Sequence, residues 1–232
     1  MEHTSDTTLC QDARVSDSPL IRPYRGVLAG DRVASRREAL IDAALEVFAT
    51  EGWAALSARR ICEQAGLTRR YFYESFDDLD AVLGAAFDRI TGQVTQAVGA
   101  AVSAAIAADG EAPLSELVAQ AISAGLEVVT TPPSNGRFLA VAQTAGSSIA
   151  ERRARSIDDL AAIVEAVLSI HREGQLVGRK QARIVAVATN GAMLRIIDSW
   201  LGDELDLTKE EVVSWATIVA LGIIDAVVAV PE

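Results

Sequence analysis

The twenty residues 57–76, SARRICEQAGLTRRYFYESF, constrain the fold more tightly than any other stretch of the chain. They divide into two short helical runs around Ala65-Gly66-Leu67-Thr68. Gly66 stands where a left-handed residue ends a helix, a conformation glycine adopts without strain. Leu67 gives the turn an apolar plug. Thr68 occupies the N-cap position of the next run, its hydroxyl placed to accept a backbone N–H. Tyr71, rather than Glu or Gln, lies three residues on, so no capping box forms. Ser57 is the N-cap of the preceding run, in which Ile61, Cys62 and Ala65 recur three or four apart and share one face. A chain with this segment must fold locally as helix, tight turn, helix, with both apolar faces turned the same way.

A further helix is expected upstream, capped by Ser35 and running over residues 36–50, with Leu40, Ile41, Ala44, Leu45 and Phe48 inward and Gly52 as its stop. In the second of the paired helices Phe72 and Phe76, four apart, pack inward and turn Arg69, Arg70, Tyr71 and Tyr73 outward or sideways. A short helix of this kind fits the major groove of DNA, about 12 Å wide. Arginine binds guanine O6 and N7 through two hydrogen bonds, and tyrosine and capping hydroxyls suit phosphates. The plainer alternative is a helical hairpin with solvated arginines.

From about residue 36 to residue 83 the chain resembles the DNA-binding domain of the TetR family of transcriptional regulators. The matching elements are the apolar first helix running into Phe48 and Glu51-Gly52, Ser57 with Ile61, Ala65-Gly66-Leu67-Thr68, and Phe72-Tyr73 with Phe76. The resemblance implies an all-helical homodimer: an N-terminal three-helix DNA-binding domain with a helix-turn-helix, then a helical ligand-binding and dimerisation domain. It implies phosphate contacts from Ser57, Thr68 and Tyr73, with Arg69, Arg70 and Tyr71 nearest the bases. Arg59, on the outer face of the preceding helix, and Arg36, upstream, complete the candidate DNA-binding set. Three positions depart from the family pattern. Arg70 replaces a small residue, Ser75 a frequent His or Tyr, and Leu79 a lysine that often contacts phosphate.

Charge makes any DNA contact local, because a formal net charge of −11 and a pI near 4.7 repel phosphate over most of the surface. One basic stretch exists: Arg22, Arg25, Arg32, Arg36 and Arg37 fall within sixteen residues that contain only Asp31 as an opposing charge. It can lie along phosphates or a minor groove, or remain a solvated tail. Residues 1–30, polar and broken by Pro19, Pro23 and Gly26, read as a disordered extension. Residues 31–78 then form the DNA-binding domain and 79–232 the helical ligand-binding and dimerisation domain. The N-terminal stretch has no apolar signal core. Cys10 and Cys62 make no disulfide framework, and a cytoplasmic location is expected.

The second region reads as helices over about 79–107, 114–129, 135–149, 151–171, 180–201 and 209–230, with no strand alternation and no repeat. Residues 212–230 are almost wholly apolar, long enough to consider as a membrane span. Asp225 interrupts them and no basic flank marks one end, so no membrane partner is expected. A helix buried on several sides in a dimer fits better, with the last two helices of each subunit forming a four-helix interface. Ala188, Gly191, Ala192 and Gly222 would allow close approach there.

The resemblance also implies a small-molecule effector bound within the second domain. Asn190 lies in a helical stripe with Ala186, Met193 and Ile197, so its amide is a candidate anchor in an apolar pocket. Phe87, Phe138, Gln143, Arg195 and Trp200 are the other candidate ligand-binding residues, with core packing, or an Arg195–Asp198 pair, as the alternative. Catalysis has little support. His3 and His171 are the sole histidines, no His/Cys/carboxylate spacing suits a metal, and no glycine-rich phosphate loop occurs. No cofactor is expected. The expected function is a ligand-responsive dimeric repressor that binds a palindromic DNA operator and is released by a small molecule. The alternative is a helical small-molecule-binding protein without DNA-binding activity.

Overall fold

The computed structural model describes residues 29–108, 112–142, 147–171 and 178–229. The expected N-terminal extension, with Arg22 and Arg25, lies almost entirely outside the described residues. Within them the chain is all-helical, with no strand: α1 (Ala29–Glu51), a 3-10 turn (Trp53–Ala55), α2 (Ala58–Ala65), α3 (Arg69–Ser75), α4 (Leu79–Ala108), α5 (Leu114–Thr130), α6 (Ser134–Ala142), α7 (Ser147–His171), α8 (Arg179–Leu201) and α9 (Lys209–Val228).

The first three helices form a small head, and α1 is longer than its sequence signals suggest. It begins six residues before Ser35, which therefore sits inside the helix and caps nothing. The intervening Ala, Val and Arg residues sustain a helix, and serine is a weak boundary signal when no breaker accompanies it. The α2–α3 turn is as the residues dictate: Gly66 is left-handed at φ 64°, and Ser57 Oγ accepts the Arg60 N–H at 3.2 Å. Leu40, Ala44, Val47, Ile61 and Phe72 form the middle of the head, each fully buried. Phe76 caps the end of α3 and is buried beside Phe72, with ring centroids 6.1 Å apart.

Asp78 opens α4, its Oδ1 accepting the Ala81 N–H at 2.8 Å. From there one apolar cluster runs without a break from the head into the body, through Val82, Ala86, Phe87 and Ile90 to Leu126, Phe138 and Ile197. Aromatic rings close the joint: Phe48 of α1 meets Phe138 of α6 edge to face at 5.2 Å, and Trp53 lies 5.6 Å from the same ring. α6 can enter this joint because Gly136 carries no side chain. A Cβ there would stand 3.0 Å from the Val129 carbonyl oxygen and 3.3 Å from Ile197 and Leu201.

The body is a bundle in which α5 runs back along α4, Gly125 lying against Val94 and Val98. α7 follows α4 in the same direction, since Arg152 lies over Gly84 and pairs with Asp88 while Ile163 reaches Gly99. Two further apolar clusters lie towards the end distant from the head, one around Val102, Leu117 and Val167, the other around Leu168, Val185 and Ile224. α4, α8 and α9 are long and apolar enough to cross a membrane by length and composition. In this fold each contributes side chains to one shared interior.

Candidate nucleic-acid interface and interior cavity

α3 has seven residues and holds its position through α1. The Arg36 guanidinium lies 4.6 Å from the centre of the Tyr71 ring and 3.8 Å from the Glu74 carboxylate. Arg37 stacks over Phe76 at 4.1 Å and donates to the Ser75 carbonyl at 2.9 Å. Arg36 is thus only about a quarter exposed. Its guanidinium is held against α3 by cation–π and ionic contact.

The outward face of α3 carries Arg69, Arg70, Tyr71 and Tyr73, all exposed. Arg70 is held along its own helix by Glu74, with Nε to Oε1 at 2.9 Å, and Arg59 of α2 likewise by Glu63 at 2.8 Å. These hydrogen bonds raise both guanidinium pKa values, and the Arg59 bond holds the Glu63 carboxyl below its ordinary value. Arg69 takes part in no ion pair among the described residues. Thr68 has the extended backbone of an N-cap, yet its hydroxyl makes no capping hydrogen bond, contrary to expectation. Cys62 faces inward, where burial pushes its thiol pKa up. Over residues 29–78 seven arginines stand against nine carboxylates, so any attraction for phosphate must be local.

The body contains a partly open cavity of about 210 Å³ walled by α4, α5, α7, α8 and α9, with Leu139 of α6 at one corner. Of the residues expected to bind a ligand, Phe87 and Asn190 lie on its wall, together with the rest of the Asn190 stripe, Ala186, Met193 and Ile197. Phe138 does not: it is fully buried in the head–body joint. Trp200 packs into the same core and donates its indole N–H to the Leu207 carbonyl at 2.7 Å. Arg195 is exposed and paired with Asp198 at 2.7 Å. These three placements correct the pocket assignment, because core packing and a local ion pair account for each side chain. Gln143 lies outside the described residues.

The sequence reading missed Thr91, Thr95, Arg153, Ser156 and Thr189, which also line the cavity. Thr91 donates to the Phe87 carbonyl at 3.0 Å and Ser156 to the Arg153 carbonyl at 3.0 Å. Thr189 differs from both, its Oγ1 being buried without a hydrogen-bond partner. Its place beside Asn190 in an otherwise apolar stripe is the signal that could have exposed it.

Residues 40–86 match the family model for bacterial regulatory proteins of the tetR family. Solved structures extend the likeness to the whole described fold. A TetR family transcription regulator from Marinobacter aquaeolei VT8 is 21% identical and superposes with a TM-score of 0.62, covering 84% of this chain and 97% of its own. The fatty acid degradation regulator FadR from Bacillus halodurans is 15% identical, TM-score 0.64, with 80% and 97% covered. The transcriptional regulator FadR from Bacillus subtilis, in complex with stearoyl-CoA, is 17% identical, TM-score 0.62, with 81% and 97% covered. No curated protein sequence matches the chain. The chain therefore carries a TetR-type N-terminal domain on a TetR-like all-helical fold.

Proposed function

We propose that this TetR-like chain is a cytoplasmic homodimeric repressor that binds a palindromic operator through α3 and is released by a small molecule in the body cavity. The observation that carries the reading is the pairing of an exposed Arg69–Tyr73 face with an interior cavity, joined by the continuous core around Phe138. The ligand-bound Bacillus subtilis FadR supports a ligand-responsive body. Ser57, Thr68 and Tyr73 take phosphates, while Arg69, Arg70 and Tyr71 face the bases and Arg59 flanks them. Exchange of Glu63 and Glu74 for phosphate frees Arg59 and Arg70 on binding.

The dimer supplies the second half-site, since one seven-residue helix reads too few base pairs for useful specificity. Its surface is the outer face of α8 and α9, where Ile184, Val187, Trp215, Ile218 and Val219 are exposed. Gly191 and Gly222 lie open on the same helices, with nothing within 4 Å of an added Cβ. A two-fold axis through this face sets the two α3 helices apart, and their spacing must match about 34–36 Å or a multiple. An apolar patch of this kind marks an interface, and no membrane or catalytic role is invoked.

A second reading, a ligand-binding protein with a silent head, draws support from the local pairing of Arg59 and Arg70. Fluorescence anisotropy with palindromic DNA from upstream of the coding region separates the two. The regulator reading expects salt-sensitive binding by a dimer that weakens in Arg69→Ala; a monomer, or a head indifferent to that change, overturns it.

A further inference from the structure

The polar side chains of the cavity wall are gathered towards the head: on α8, Thr189 and Asn190 separate the distal Val185 and Ala186 from Met193, Leu194 and Ile197 nearer the head. On α4 the lining side chains are polar at Thr91 and Thr95 and apolar from Val98 onward. On α7, which runs the same way, Arg153 and Ser156 come first and every later lining residue is apolar. α5 and α9 contribute no polar lining side chain at all. The polar end lies towards the head, because Arg152, next to Arg153, sits over Gly84 and Asp88 at the start of α4. The opposite end is apolar, lined by residues of the clusters around Val102 and Leu117 and around Leu168 and Ile224.

We infer that the cavity takes a slender single-tailed amphiphile, its hydrocarbon tail directed away from the head and its hydrogen-bonding head group held at a collar formed by Thr189, Asn190, Thr95 and Arg153. This inference rests on the ligand-responsive reading and specifies the ligand's class and orientation. Three features lead to it. Thr189 Oγ1 is buried without a partner, a cost that a ligand hydrogen bond would remove. Thr91 and Ser156 give their protons to helix carbonyls, leaving oxygens that can only accept. The volume of about 210 Å³ falls below the roughly 300–1,000 Å³ of sites for drug-sized molecules, which favours a small ligand. A second polar group on the far end of the tail would lie among valines and leucines, where no lining side chain among the described residues pairs with it.

Calorimetric titration of the full chain with straight-chain carboxylates tests this. Affinity should rise about fourfold per methylene from hexanoate to decanoate, and the ten-carbon dicarboxylate should bind at least about a hundredfold more weakly than decanoate. Thr189→Val should weaken decanoate about fivefold and, by removing the unpaired hydroxyl, raise the melting temperature of the free protein. Leu117→Trp should shorten the preferred tail; Val118→Phe serves the same purpose if the tryptophan variant does not fold. Affinity indifferent to tail length, dicarboxylate binding equal to decanoate, or unchanged decanoate affinity in Thr189→Val overturns the assignment. Decanoate binding that leaves operator affinity untouched would instead overturn the regulatory reading and leave the ligand class standing. Operator release by a polar compound, in a protein that ignores the carboxylate series, would do the reverse.

Discussion

The head and the body use similar apolar material to opposite ends. In the head, Leu40, Ala44, Val47, Ile61 and Phe72 fill the space between three helices, and the polar side chains Arg69, Arg70, Tyr71 and Tyr73 are left on the outside. In the body, five long helices stand around a cavity, and polar side chains, Thr189 and Asn190 among them, are turned inward. A small domain has little core to spare, so it is filled and presents its function on its surface. A larger one can leave part of its interior unfilled and place its function there.

The largest expected effect comes from the joint between the two. Phe138→Ala removes the ring that Phe48 and Trp53 both contact, at a cost of about 3–5 kcal/mol. Thermal unfolding should show it, with the head melting separately from the body if the joint is what unites them. Next comes Arg69→Ala, expected to weaken operator binding by about 1–3 kcal/mol in anisotropy while leaving the melting temperature and ligand titration unchanged, which would show that the outer face is separable from the interior. Gly84→Ala should be milder: its methyl group displaces the Arg152 guanidinium, a flexible group, from Asp88, with a loss of less than about 1 kcal/mol by denaturant titration. The smallest effect is acidic. Hydrogen bonds from Lys209 and then Thr131 hold the exposed Glu127 carboxyl below its ordinary value. A depressed carboxyl stabilises the fold above its unfolded-state pKa, and that contribution disappears as pH falls through the folded value. Glu127→Gln should therefore flatten the acid limb of the stability profile slightly, and NMR titration of Glu127 should show the depressed midpoint directly.

The head was legible because its signals are local. Gly66 and Ser57 specify their turns by backbone conformation and hydrogen bonding within four residues, and the Phe72–Phe76 spacing settles which side of α3 is buried. Its errors were local as well. Ser35 looked like a cap because no tertiary information disqualified it, and Thr68 has a cap's backbone without a cap's hydrogen bond. The contacts of Arg36 with Tyr71 and Glu74 were out of reach, because those partners lie thirty-five or more residues away. In the body, periodicity found the helices and the Asn190 stripe, yet composition could not separate an aromatic ring packed in a joint from one facing a cavity. Phe87 and Phe138 are equally buried; only the crossing of α6 between α1 and α8, permitted by Gly136, decides which space each ring occupies.

The pairing of Arg89 on α4 with Glu38 and Asp42 of α1 has a mechanical consequence. α1 in turn holds α3 through Arg36 and Arg37, so α4, α1 and α3 are tied in series by side-chain contacts, and a displacement of α4 is expected to carry α3 with it.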